Sequence, residues 1–361
     1  MRPAAFDELQ GWGADDALAA FRTFRAGAAH IVERRPELRA AQAPDEALLA
    51  VCRAALVRKA CNATQARAFF EAQFQPSEVL PSEDMAFFTG YFEPQADGSM
   101  KESPGFQAPI LARPADLVTL AQEDEIAGSD VPLTSARLSA GRLSPFPDRG
   151  AIEAGALHGQ GLELVWLRDR VEVFIIQVQG SARIRLPGGR VVRLRYAGRN
   201  GWPYTSVGRL LIEQGAIAAE AMSLEALTDW LRAHPGEAEA IMGRNRSYVF
   251  FAIDGTLAAD EGPIGGAGVP LTPCRSIAVD RASWSYGLPF WIETDRPEPA
   301  GNLGRWQNLM IGQDTGAAIL GPGRVDIFFG SGAVAGTLAG RQRHRGRLFV
   351  LRPRGAGPIA S

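Results

Sequence analysis

Cysteine and histidine are scarce in this chain of 361 residues: there are three of the first and four of the second. Cys52, Cys61 and Cys274 stand far from His30, His158, His234 and His344, without the short repeated spacing of a zinc site. No metal and no other cofactor is therefore expected. An excess of one charge is also missing. Lys and Arg number 38, Asp and Glu 40, and the formal net charge is −2 with both signs dispersed. A nucleic-acid partner is not expected, because it would require a concentrated basic face. No apolar run approaches the ~20 residues of a transmembrane helix. Met1 to Phe6 carry no apolar segment of the kind that directs export. Apolar residues, in contrast, make up 46% of the chain, enough for a large core, and the length favours two domains over one.

Glycine and aspartate carry the most informative pattern. From Gln313 to Gly332 the chain has an acidic turn, Gln313-Asp314-Thr315-Gly316, then the break Gly321-Pro322-Gly323. The run Arg324 to Phe329 follows and ends in Gly330-Ser331-Gly332. Val325, Ile327 and Phe329 alternate with Arg324, Asp326 and Phe328, the pattern of a half-buried strand. Asp326 lies between apolar neighbours, which raises the pKa of a carboxyl. If the glycine-rich link folds Asp314 close to it, each disfavours the other's charge. The plainer alternative is a turn-capping Asp314 and an Asp326 facing water. A third aspartate, Asp280, ends the apolar run Ser276-Ile277-Ala278-Val279, and Leu288 to Thr294 forms another strand.

Elsewhere the pattern is first helical, then extended. Helices are expected from Ala14-Asp15-Asp16 toward Arg35, from Pro44-Asp45-Glu46, and after Asn62-Ala63-Thr64, with Phe21, Phe24, Leu48, Leu49, Cys52, Leu56, Phe69, Phe70 and Phe74 inward. Cys52 and Cys61 read as small buried thiols, a disulfide between them being the alternative. Met85 to Thr89 is a strand leading into Gly90-Tyr91. Gly90 permits close backbone approach, and Tyr91 is either a sugar-binding ring or a core aromatic. Residues 103–114 and 144–150 read as loop and linker. Leu162 to Trp166, Val171 to Gly180, Arg183 to Leu186 and Val191 to Tyr196 read as a β meander, closed by a turn at Pro187-Gly188-Gly189. On the central strand, Gln177 and Gln179 would end one face and offer amides to sugar hydroxyls, or simply line an exposed sheet. Arg183, Arg185, Arg193 and Arg195 alternate on the last hairpin and read as a solvated face, with attraction of a ligand's carboxylates as the other reading. Thr205 to Gln214 and Ser223 to Ala233 are helical. Ser247 to Ala252 opens a strand set that continues through 271–294 and 309–350, and Arg352 to Ser361 is a polar tail.

The three aspartates with their glycine turns resemble the three-aspartate, or 3D, domain, which is built on a double-psi β-barrel. Further motifs narrow the resemblance to the MltA-type lytic murein transglycosylases: Thr89 to Pro94, Gln177 to Ser181, Tyr196 to Gly201, Pro203 to Gly208 and Ser247 to Phe251, in order between about Phe87 and Pro353. The chain departs from that family's pattern at Arg246, where proline is usual, and at Cys274 and Ala317, where glycine is usual. Ser285 to Pro289 is a variant turn.

The resemblance implies a mainly β fold with N-terminal helices. Residues 1–104 and 243–361 would form the double-psi barrel, and 105–242 an inserted smaller β domain, with a glycan groove between them. It implies an exotransglycosylase-type lyase cutting the β-1,4 bond between N-acetylmuramic acid and N-acetylglucosamine, leaving 1,6-anhydro ends without water. Endo and exo action are not distinguished by the residues. Asp326 matches the acid/base, and Asp314 and Asp280 the supporting aspartates. Thr89, Gly90, Tyr91, Gln177, Gln179, Ser181 and Tyr204 match substrate-binding positions. Peptidoglycan strands are the implied partner of an expected monomer, with cell-wall enzyme complexes left open. The implied location is the periplasm or outer membrane, with the targeting segment not visible in this chain.

Overall fold

The computed structural model describes residues 1–60, 62–81, 85–120, 126 and 128–356. The chain forms two compact units, Met1–Phe92 with Ala258–Ser361, and Glu93–Leu257. The first opens with a short strand β1 (Arg2–Pro3), helices α1 (Ala17–Val32), α2 (Glu46–Val57) and α3 (Ala63–Gln73), and strands β2 (Phe74–Glu78) and β3 (Ala86–Glu93). The second holds β4 (Gln95–Asp97), β5 (Ala108–Leu111), β6 (Leu117–Thr119), β7 (Ser135–Ser139), β8 (Arg142–Ser144), the one-turn α4 (Arg149–Ala151), β9 (Glu163–Leu167) and α5 (Arg170–Gln179). It continues with β10 (Ser181–Arg185), β11 (Val191–Arg199), α6 (Val207–Glu213), α7 (Leu224–Ala233), α8 (Pro235–Gly243) and β12 (Val249–Asp254). The first unit resumes with β13 (Ser276–Val279), β14 (Pro289–Pro297), β15 (Leu303–Asp314), β16 (Arg324–Ser331), α9 (Ala333–Arg341) and β17 (Arg343–Pro353).

Six strands of the first unit close on themselves in the order β17-β14-β15-β13-β16-β3, with β3 returning to β17. The expected mainly β fold, barrel and N-terminal helices are all present. Closure leaves no bare edge along most of the wall, which a polar backbone otherwise requires water or a partner to satisfy. The three helices start where side chains accept from the first free amides: Asp16 from Ala19, Asp45 from Leu48 and Asn62 from Gln65. Their inward residues, Phe21, Phe24, Leu48, Cys52, Phe69 and Phe70, join Trp291, Leu309, Ile311 and Phe349 of the barrel in one apolar cluster. Burial pushes the Cys52 thiol up to about 12, so it is an inert packing group. Cys61, and with it the Cys52–Cys61 pairing, lies outside the described residues.

In the second unit β12-β11-β10-β4 form one sheet, β5 and β9 a pair, and β6-β7-β8 a small third sheet. The loop expected over 103–114 thus contains the strand β5, and the strand expected at 247–252 pairs with β11 rather than with later strands. The larger correction is Val171 to Gly180. It is the helix α5, not the centre of a meander. Asp169 caps it by accepting from the Glu172 amide at 2.7 Å, and Gly180 ends it at φ +84°. Its β-branched residues gave a strand-like reading because Val171, Val173, Phe174 and Ile176 are all buried. A helix enclosed on most sides loses the clean polar face that separates its period from that of a strand.

Candidate active site

Three barrel strands bring polar side chains onto one face, and a fourth, β13, places Ala278 between them. On β16, Arg324 and Asp326 are two residues apart and share that face. Asp326 lies opposite Ala278 of β13, and Ala278 lies opposite Asp314 of β15. A bulge at Gln313 makes this possible, because Ile277 pairs with Gly312 while Ala278 pairs with Asp314. Gln313 is held out of register: its Oε1 accepts from the Ser276 hydroxyl at 2.6 Å and its Nε2 donates to the Thr23 carbonyl at 3.2 Å. Asp314 and Asp326 therefore stand two strand spacings apart, roughly 10 Å between backbones. From β3 come Phe87, Thr89 and Tyr91, again alternate residues.

The two carboxylates have different partners. The Thr89 hydroxyl donates to Asp326 Oδ1 at 2.5 Å and accepts from Arg324 Nη2 at 2.7 Å. Asp314 accepts three bonds, from the Tyr91 hydroxyl at 2.8 Å and from the amides of Gly266 and Thr315 at 2.7 and 2.8 Å. A Cβ at position 266 would lie 2.4 Å from the Tyr286 hydroxyl, so only glycine lets this amide reach the carboxylate. Beside them Tyr91, Leu271, Ala278, Ile319 and Phe328 form an apolar cluster. Burial pushes the half-buried Asp326 carboxyl above the ordinary aspartate value. The Arg324 charge and the Thr89 bond pull it back, and Asp314 adds a smaller upward push. Burial and the Asp314 carboxylate push the Tyr91 hydroxyl well above the ordinary tyrosine value.

Asp280 has a different setting. It is buried at the end of β13, where it accepts from the Ala282 amide, the Ser283 hydroxyl and, at 2.7 Å, the Gly321 amide. It clips the Gly321-Pro322-Gly323 link to the barrel, and Trp284 Nε1 donates to Pro322 O beside it. Gly90 turns to the opposite side of β3, where a Cβ would lie 2.8 Å from Ala339 Cα of α9. Its missing side chain lets that helix pack close against β3.

The remaining candidates belong to the second unit. Gln177 is buried, and its Oε1 accepts from Arg149 Nη1 at 2.5 Å. Arg149, itself buried, donates further to Asn245 O, Ser247 O and Glu153. Gln177 and Gln179 do not share a strand face; they are two residues apart on a helix, pointing in different directions. Ser181 is buried at the start of β10, and Tyr204 is half-buried near Arg149. The arginine hairpin is not a solvated face throughout. Arg183 Nε and Arg193 Nη2 close on the buried Glu93 at 2.6 and 2.9 Å, while Arg185 stays exposed and pairs with Asp97. Among the described residues no group of three His, Cys, Asp or Glu side chains is placed to hold a metal ion.

Arg324 is the residue that sequence reasoning passed over. Its spacing of two from Asp326 was the available signal, since alternate strand residues share a face.

Two family models match the chain: the MltA specific insert domain over residues 87–252 and the 3D domain over residues 275–352. Membrane-bound lytic murein transglycosylase A of Escherichia coli K12 is 32% identical over 280 residues, covering 76% of this chain and 68% of that protein. The enzyme of the same name from Vibrio cholerae is 36% identical over 214 residues, or 57% of this chain and just over half, 55%, of its own length. A crystal structure of the membrane-bound lytic murein transglycosylase from Agrobacterium tumefaciens superposes with a TM-score of 0.87 at 34% identity, covering 98% of this chain and 97% of that one. The chain belongs to the lytic murein transglycosylase A family.

Against the pattern of the lytic murein transglycosylase A family, two departures now have a physical setting. Cys274, at a position where glycine is usual, has φ +55°, a left-handed conformation that a side chain makes costly by about 1 kcal/mol. Arg246, where proline is usual, stacks 3.3 Å over the Trp202 ring and pairs with Asp148 and Asp130.

Proposed function

We propose that this chain cleaves peptidoglycan glycan strands as a lytic transglycosylase, with Asp326 as its single acid/base. Protonated Asp326 gives its proton to the oxygen leaving C1 of N-acetylmuramic acid, which breaks the β-1,4 bond. The resulting carboxylate takes the proton of the C6 hydroxyl as that oxygen closes on C1, and a 1,6-anhydro ring forms. A carboxyl with a raised pKa suits both halves of this cycle. Asp314 orders the site through Tyr91, Gly266 and Thr315, and Asp280 holds the 321–323 link.

The observation that carries the reading is the separation of the two carboxylates. Asp314 stands across Ala278 from Asp326 and is already engaged by three donors. A retaining hydrolase needs a second carboxylate about 5 Å away to attack the sugar, and an inverting one needs a carboxylate about 6.5–9.5 Å away that is free to activate a water; the three donors on Asp314 tie it into the barrel wall instead. An acid/base working alone needs only an internal nucleophile, which muramic acid carries on C6. The relatives are named membrane-bound. Among the described residues no helix is long and apolar enough to cross a membrane. An envelope location, on the periplasmic side, is the one that gives access to peptidoglycan.

The test is digestion of purified sacculi in water enriched in heavy oxygen. Released muropeptides should carry no label and weigh one water less than hydrolase products. Labelled, reducible muramic acid ends would show that water is the nucleophile.

A further inference from the structure

Hydrogen-bond capacity around Asp326 fixes more than the identity of the acid. A threonine hydroxyl has one hydrogen to donate and accepts through its oxygen, whereas a guanidinium can only donate. Arg324 Nη2 lies 2.7 Å from Thr89 Oγ1, so Thr89 is the acceptor in that bond. Its own hydrogen then goes to Asp326 Oδ1, 2.5 Å away. Arg324 is held in this position by its Nη1, 2.6 Å from Val325 O, and by the Phe87 ring, whose centroid is 5.2 Å from the guanidinium carbon. Among the described residues Asp326 accepts from Thr89 alone.

We propose that Arg324 is a positioning residue: by donating to Thr89 it commits the Thr89 hydroxyl to Asp326 Oδ1 and reserves Oδ2 as the oxygen that carries, delivers and recovers the catalytic proton. This rests on the acid/base role of Asp326. It assigns Thr89 to the acid rather than to the sugar, because its hydrogen and one acceptor site are already used. Without Arg324 the Thr89 hydroxyl can turn and accept a proton from Oδ1 instead. The carboxyl then spends part of its time protonated on the wrong oxygen. Among the described residues, the charged and titratable groups facing Asp326 are Arg324 on its own strand, Asp314 across Ala278, and Tyr91 on β3. Of these Arg324 is the cation, and it opposes the upward push of burial.

The experiment compares Arg324→Met, Arg324→Lys, Thr89→Val, Thr89→Ser and Asp326→Asn in the full chain. Turnover and KM on purified glycan strands are measured across pH, with melting temperatures to check folding. Arg324→Met should lower turnover about ten- to a hundred-fold with KM little changed. It should also move the alkaline limb of the rate profile to higher pH, since the acid loses a nearby cation. Arg324→Lys keeps the charge and a donor, so its limb should stay near that of the parent with turnover partly restored. Thr89→Val should mimic Arg324→Met, and Thr89→Ser should restore the parental profile. The Thr89 pair decides the matter should Arg324→Met not fold. A loss seen in KM alone would make Arg324 a substrate ligand and overturn the proposal. Parental turnover with an unmoved limb in folded Arg324→Met or Thr89→Val would overturn it as well. Asp326→Asn separates the two levels: if it stays active, the acid/base reading itself fails, whatever the Arg324 variants do.

Discussion

Each unit of this protein pairs an arginine with a carboxyl whose pKa burial has raised, yet the two arginines engage their carboxyls differently. In the second unit Arg149 is 1% exposed and donates to two carbonyls, to Gln177 and, at 3.1 Å, to Glu153. The rings of Phe174 and Tyr248 lie 4.9 and 5.2 Å from it. Burial pushes Glu153 up, but the guanidinium bonds it directly and pulls it back. In the barrel, Arg324 is half-buried and reaches Asp326 through Thr89. A raised pKa is therefore not by itself the mark of a catalytic acid. What separates the two is the partner. A carboxyl bonded by a neutral hydroxyl can exchange its proton, whereas one bonded by a guanidinium is stabilised as an anion.

The comparison breaks first at Asp326. Asp326→Asn keeps the shape and the Thr89 contact but has no proton to exchange. Turnover in a muropeptide-release assay should fall by about a hundred-fold or more, while glycan binding persists. Stability should move the other way. The folded pKa of Asp326 is raised, so the folded state binds more protons than the unfolded one between the ordinary aspartate value of about 3.9 and the raised value. Folding stability is lost as pH rises through that window. Asp326→Asn removes this loss, so its urea midpoint should match or exceed that of the parent at neutral pH, with the difference vanishing in acid. Parental turnover would transfer the role to Asp314 or Asp280.

Gln177 tests the other side. As a glycan ligand on a strand face, which the sequence pattern implied, it could be replaced with loss of binding and no loss of stability. Buried against Arg149, Gln177→Ala should instead cost about 1–3 kcal/mol, because a guanidinium hydrogen and the Val249 carbonyl lose their partner. Chemical denaturation should show the loss, and glycan affinity of the folded variant should be unchanged. A stable variant that has lost affinity would restore the sugar-binding reading.

That reversal also shows where sequence reasoning reached and where it stopped. The helix starts at Asp16, Asp45 and Asn62 were legible because a capping side chain acts on amides two or three residues away. Strand β16 was legible because its first four residues alternate, with Val325 and Ile327 buried and Arg324 and Asp326 half-buried, before the buried Phe328 ends the pattern. Helix α5 was not, since its period is hidden by burial around most of its surface. The aspartates were found through glycine turns that local geometry demands. Their pairings were not: the bulge at Gln313, which decides that Asp314 rather than its neighbour faces Ala278, depends on Ser276 and on the carbonyl of Thr23 far away in the chain. Arg324 was read as the polar half of an alternating strand, and its bond to Thr89 spans 235 residues of sequence. Long-range closure of this kind leaves no local trace.

The smallest effect is the most discriminating. The sequence pattern suggested that the glycine link folds Asp314 against Asp326, making like charge a main reason for a raised pKa. In the barrel the two stand on either side of Ala278, and burial, not Asp314, is the leading cause. Asp314→Asn removes a negative charge that favours the protonated acid, so the pKa of Asp326 should fall and the alkaline limb should move to lower pH. The shift should be smaller than the opposite one produced by Arg324→Met, because the arginine acts more strongly on this carboxyl. Turnover should fall mainly for another reason. Asparagine can accept from the Gly266 and Thr315 amides at one oxygen, but its NH2 group now faces the Tyr91 hydroxyl that formerly donated to Oδ2. Tyr91→Phe should then reproduce the loss of turnover that Asp314→Asn causes, without its downward shift of the limb. Should both variants move the limb equally, Tyr91 and Asp314 act on Asp326 as one electrostatic unit, and the division into a charge effect and an ordering effect is wrong.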